Sequence, residues 1–142
     1  DEFIAKLEKN NLEDSLIILD GNISTQDLLK VSDCVIGFQT LGLIEAMFTK
    51  QPIFHGGWGE LYCEIKETLM PLHHSKGLNF FQSKISMYNA ISKYIKNPSL
   101  HNQSDNTELA RKNSIQEMYY VADGRSSKRL LETIEEFFLK IT

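Results

Sequence analysis

Gln39, Thr40, Leu41 and Gly42, followed by Glu45, are the residues whose types and spacing can do chemistry in this chain. They stand between an apolar run, Cys34-Val35-Ile36-Gly37, and a stretch where the pairs Leu43, Met47 and Ile44, Phe48 recur four apart. The first pattern is that of a short strand buried on both faces and the second that of a helical face. A helix beginning near Leu41 turns unpaired backbone N–H groups and the positive end of its dipole toward the preceding turn, which suits an anion. Glu45, one turn in, can then accept hydrogen bonds from ligand hydroxyls while the amides hold a phosphate. The plainer alternative is that the turn binds nothing and Glu45 only complements the dipole.

Two more residues are placed to act on a ligand. His55 follows the apolar pair Ile53-Phe54 and faces the loop Gly56-Gly57-Trp58-Gly59. Imidazole titrates near neutrality, so His55 can serve as a base or bind a phosphate; the alternative is a hydrogen-bonded loop residue. Trp58, between glycines, can stack on a base or sugar, or its ring can close the edge of the core. His73-His74 and Cys63 do not make a metal set, because no carboxylate or thiolate stands at ligand spacing, and neither metal nor cofactor is expected. Arg125, Lys128 and Arg129 can face a phosphate, though a solvated basic face is the simpler account.

The elements that must position these groups follow from periodicity. Phe3, Ile4 and Leu7 open the chain on a helix that ends at Asn10-Asn11. Ser15 to Leu19 is a buried strand closed by Asp20-Gly21-Asn22. Ser24 caps a helix from Thr25 to Val31, with Asp27 as a capping-box partner. The strand, turn and helix around Gln39 come next, with the helix ending near Lys50 because Pro52 disfavours helical geometry at Gln51. After the Gly-Trp loop, Leu61, Ile65 and Leu69 mark an amphipathic helix stopped by Pro71, and His73 to Gly77 is a loop. Leu78 to Phe81 is a strand. Ser83 or Ser86 caps the helix ending at Asn97-Pro98, Thr107 caps the next, and Ser126 or Ser127 caps the last. Its stripe from Leu130 to Phe138, like Tyr119-Tyr120, is read as core, or in a fragment as a surface meeting a missing half. Four near-continuous apolar strands alternating with helices give a three-layer, Rossmann-like α/β domain with a small parallel sheet.

At 142 residues and 16.3 kDa the chain is one domain's worth. The expected division is 1-122 for the Rossmann-like domain and 123-142 for a C-terminal helix that packs on it or on a partner domain. Net charge is −4 with acids and bases interleaved, so no nucleic-acid partner is expected. Cys34 and Cys63 suggest no disulfide framework and fit a reduced, cytoplasmic setting. No apolar run approaches the ~20 residues of a membrane span. The chain opens inside a helical pattern without an initiator Met, and so reads as a piece of a longer protein.

On these residues the chain resembles a family. Leu19 to Phe54, with its Gly-Asn turn, Asp27-Leu28-Leu29, Ser32-Asp33, the polar turn, Glu45-Ala46-Met47 and Pro52-Ile53, looks like the C-terminal nucleotide-sugar-binding domain of GT-B glycosyltransferases, half of the GT-B fold. Gly77 to Phe81, Ala90 to Leu100 and Ala110-Arg111 continue the likeness. Ile36 to Thr40, Gly57-Trp58-Gly59 and Asp123 to Arg129 resemble bacterial capsule and surface-carbohydrate biosynthesis proteins. The resemblance implies a nucleotide sugar held by Gly37, Gln39, Thr40, Leu41, Gly42, Glu45 and Trp58, with Glu45 on the ribose and the turn on the diphosphate. It also implies a missing N-terminal acceptor domain, and a place in the cytoplasm at the inner face of a membrane through a lipid-linked acceptor. At Gly37, eight residues before Glu45, the chain departs from retaining members, which place a second Glu there. The family's first strand has no counterpart. Two alternatives are a non-catalytic scaffold module of a polysaccharide assembly complex and a GT-B-shaped nucleotide-sugar 2-epimerase.

Overall fold

The computed structural model of the chain describes residues 21–101, 105–119, 121 and 123–139. The expected opening helix and the strand from Ser15 to Leu19 lie outside the described residues, as does Tyr120. Three strands form a parallel sheet in chain order: β1 Val35–Gly37, β2 Ile53–Gly56 and β3 Asn79–Phe81. Register pairs Gly37 with His55 and His55 with Phe80 across the sheet. Among the described residues the helices are α1 Thr25–Val31, α2 Leu41–Ala46, α3 Glu60–Ile65, α4 Lys84–Lys96, α5 Asp105–Tyr119 and α6 Ser126–Leu139.

Side chains on a strand alternate between its faces, and here the alternation separates two cores. Ile53, Val35 and Phe80 join Leu29, Leu43, Ile44, Met47, Leu72 and Ile115 on one face. Phe54, Cys34 and Phe81 join Met87, Tyr94, Ala90 and Ile91 of α4 on the other. The chain is therefore a mixed α/β, Rossmann-like arrangement with helices on both faces of a small parallel sheet. Leu43, Ile53, Phe54 and Leu72 are fully buried, each contributing about 1.5–3 kcal/mol by removing apolar surface from water.

Burial on both faces holds for β2 alone, whose four residues are all buried. Ile36 of β1 is 50% exposed and Asn79 of β3 is exposed, because these strands are the edges of the described sheet. Several helix bounds also differ from expectation. Instead of running to Lys50, α2 ends at Ala46, and Met47, Phe48 and Thr49 bond back to Ile44, Glu45 and Ala46, the tighter i to i+3 winding that closes many helices. The row Leu61, Ile65, Leu69 covers only α3 and a 3-10 turn at Lys66–Thr68, and none of these residues is buried. His73 and His74 lie in a 3-10 turn, Leu72–His74, whose Leu72 is fully buried.

Caps explain the firm helix starts. Ser24 accepts from the Asp27 amide and donates to its carboxylate, and Ser83, rather than Ser86, caps α4. Helix α5 begins two residues before Thr107, at Asp105. In α6 the Arg125 carbonyl accepts the first helical bond, from the Arg129 amide, so Ser126 and Ser127 lie inside the helix. The stripe expected to be core is exposed, and so is Tyr119 at 45%.

Candidate functional site

In an open α/β sheet ligands bind beyond the carboxyl ends of the strands. Here those ends are Gly37, Gly56 and Phe81. Gly37 ends β1, Leu41 and Gly42 open α2, and Gln39 and Thr40 lie in the turn between them. Thr40 is its hinge: extended backbone, a carbonyl that accepts from the Leu43 amide at 3.2 Å, and a hydroxyl that accepts from the Gly42 amide at 3.3 Å. Those two donors are thereby engaged inside the turn. Gln39 donates to the Met70 carbonyl at 2.6 Å, and its buried carbonyl oxygen has no partner among the described residues. The Gln39 side chain thus ties the turn to the segment before Leu72.

Glu45 projects elsewhere. It is half-buried and lines an open cleft of about 500 Å³ with Gln26, Leu29 and Lys30 of α1, Phe48, Thr49 and Tyr119. A smaller depression, about 270 Å³, shares Tyr119 and lies between Leu41, Ile44, Met70, Pro71 and Met118. A third, about 480 Å³, shares Pro71 and Met118 and is lined by His74, Ser75, Lys76 and Asn113 among others. The three adjoin one another through these shared residues.

His55 is a correction to the sequence reading. Rather than following the strand it belongs to β2, fully buried and packed on Phe80 with ring centroids 5.1 Å apart. Neither ring nitrogen has a hydrogen-bond partner among the described residues. Burial, and secondarily the nearby His73, push its pKa down to about 4, so the ring is neutral at physiological pH. The Tyr62 hydroxyl and Nδ1 of His73, both in side chains against Phe80, are likewise buried without a partner.

Trp58 is half-buried and meets Phe38 edge-on, with centroids 5.0 Å apart. The pair lies over Gly56, where a Cβ would stand 2.5 Å from the indole and 2.7 Å from the Phe38 ring. At Gly57 a Cβ would stand 2.5 Å from Phe80 and 2.6 Å from Tyr62. Side chains at 56 and 57 would drive these rings off the sheet, which is why the two glycines sit there.

Arg111 was not singled out by sequence reasoning, yet it is a buried cation held by three backbone carbonyls. It is 3% exposed, and its guanidinium donates to the carbonyls of Gly77 at 2.7 Å, Thr49 at 2.6 Å and Gln51 at 2.8 Å. Burial lowers its pKa to about 10, which leaves it charged at neutral pH. A signal exists: Arg111, Ser114, Ile115 and Met118 stand at i, i+3, i+4 and i+7, the spacing of a helix's inward face, and Arg111 fills an apolar slot in that row.

Cys34 is half-buried, with a thiol pKa raised by burial and then by Asp33, and Cys63 is exposed; both are free thiols. Among the described residues no group of three or more His, Cys, Asp or Glu is placed to hold a metal ion, and no helix is long and apolar enough to cross a membrane. No family model matches the chain, and no match to it was found among curated proteins or solved structures.

Proposed function

We propose that this chain is the nucleotide-sugar-binding half of a GT-B glycosyltransferase of surface polysaccharide assembly, acting on the cytoplasmic side of a membrane with a lipid-linked acceptor. The observation that carries the reading is the placement of Glu45: a half-buried carboxylate at an open cleft, on the helix that follows a glycine-containing turn at the end of a parallel strand. A carboxylate there can grip the two hydroxyls of a ribose, and Tyr119 and Phe48 supply rings for a base. The chemistry would be positioning and stabilisation of a leaving diphosphate against a second domain, and the 142 residues alone would transfer no sugar. His55, buried and neutral, is not offered as the base.

A second reading, a non-catalytic scaffold module, is favoured by one specific feature: Gln39 and Thr40, two of the proposed donor contacts, spend their side chains on Met70 and Gly42. Thermal unfolding with nucleoside diphosphates decides between them. A rise in Tm with at least one of them that disappears in Glu45→Ala supports the donor site. No response to any nucleotide supports the scaffold.

A further inference from the structure

The glycines at the end of β2 leave space that the protein's own rings fill. Gly57 continues the ladder, its amide bonding the Phe81 carbonyl at 2.9 Å, and two residues after His55 it shares that residue's side of the strand. On this side stand Phe80, whose ring meets the imidazoles of His55 and His73, and the phenol of Tyr62. The phenol lies where a side chain at 57 would be: a Cβ there would stand 2.6 Å from its ring and 2.8 Å from its hydroxyl oxygen. Open α/β sheets take their ligands beyond the carboxyl ends of their strands, and beyond the central strand of the described sheet that place is held by Tyr62.

No polar partner rewards this occupation. The Tyr62 hydroxyl, Nδ1 of His73 and both ring nitrogens of His55 are buried, and none has a hydrogen-bond partner among the described residues. Shutting such groups away from water costs free energy, and a molecule that bonds them recovers it. Apolar burial offsets little of that cost. Tyr62 is carried by α3, which together with the 3-10 turn after it contains no buried residue, and Leu61 and Ile65 of α3 are exposed. Scarce buried contacts mark a segment that opens by itself, at less cost than the whole protein.

The two ends of the segment are built unequally. Gly59, ahead of α3, has φ 93° and ψ 161°, a combination that glycine alone adopts readily, and it gives the helix no side-chain cap. A Cβ at Gly59 would meet nothing within 4 Å, so the glycine is there for its backbone. At the far end the Met70 carbonyl accepts from Gln39 at 2.6 Å, and Leu72 is fully buried. One end can pivot and the other is tethered.

We propose that residues 59–69 are a lid with Tyr62 as its plug: the segment swings on Gly59, the phenol leaves Phe80, and His55 and His73 come within reach of a small polar ligand. This device is independent of the nucleotide-sugar reading, which rests on Glu45.

Acylation of the imidazoles by diethyl pyrocarbonate at pH 7, read by mass spectrometry on the 142-residue chain, tests it. Amide exchange of β2 reports global opening, and His74, exposed beside His73, is the reference. His55 is expected to react more slowly than His74, yet faster than global opening allows. Gly59→Ala should raise the His55 rate roughly tenfold by straining the closed position. Tyr62→Phe should lower it roughly tenfold, because it removes the unpartnered hydroxyl from the closed form. If His55 reacts only with global opening, Tyr62 is fixed and the lid is overturned. If His55 reacts as fast as His74, the strand end is already open and the plug is overturned. A His55 rate that Gly59→Ala does not raise, or that Tyr62→Phe does not lower, overturns the proposal equally.

Discussion

Helices α5 and α6 are neighbours in sequence and nearly equal in length, yet they hold to the protein by opposite means. The apolar pattern of α5 is weak, but Arg111, Ser114 and Ile115 are buried, because Arg111 bonds three carbonyls of other segments, at Thr49, Gln51 and Gly77. In α6 the apolar stripe is strong and nothing is buried. Docking of a helix is thus decided by what it finds to pair with. A cation with three well-placed acceptors holds α5, whereas no residue of α6 is buried among the described residues.

The harshest test of that contrast removes the guanidinium. Arg111→Ala strips the Thr49, Gln51 and Gly77 carbonyls of their donor and opens a void beneath α5, a loss of about 3–5 kcal/mol. Urea unfolding reads it as a lower midpoint. Arg111→Lys should recover only part, since one ammonium cannot reproduce a planar fork. If Arg111→Ala unfolds at the wild-type midpoint, α5 is held by its apolar contacts after all.

His55 sharpens the comparison from the other side, as a buried polar group without the acceptors that Arg111 enjoys. Its folded pKa, about 4, lies below the ordinary value of 6.5. Above pH 6.5 the ring is neutral in both states and the protein keeps its full stability. As pH falls from 6.5 toward 4 the unfolded chain takes up a proton that the folded chain refuses, and roughly 3 kcal/mol is lost. His55→Leu should flatten that part of the stability profile and cost little at pH 7.5, because no hydrogen bond among the described residues is given up. An unchanged slope in the variant assigns the proton uptake elsewhere.

The smallest effect belongs to α6. Ile134→Gln should shift the unfolding free energy by less than about 0.5 kcal/mol, as an exposed site does. A larger loss on urea unfolding would mean that the stripe packs on its own protein.

The same contrast explains how much was legible in the sequence. From Asp33 to Phe54 the change from a continuous apolar run to a 3.6-residue period, with Gly37, Thr40 and Pro52 as punctuation, located β1, the start of α2 and β2. These signals are local, and local physics sets them. Burial is not local. Val35-Ile36 and Ile53-Phe54 read alike, yet Ile36 is half exposed because β1 is an edge of the described sheet and β2 is not. For the same reason Leu61 and Ile65 misdirected the account of α3, where Tyr62 is the residue that reaches Phe80. At the candidate site the turn and the helix that carries Glu45 were readable, but the separation of Glu45 from the turn was not. The bond that engages Gln39 was not, because Met70 is 31 residues from Gln39 in sequence.

One contact on the other face has its own consequence. The Tyr94 hydroxyl donates to the Asp33 carbonyl at 2.7 Å, so α4, which enters after β3, reaches back to a residue two positions ahead of β1. A sheet laid down in chain order would otherwise fray from whichever border loosens first. With its two borders laced together through one phenol, it opens as a single cooperative unit or stays closed.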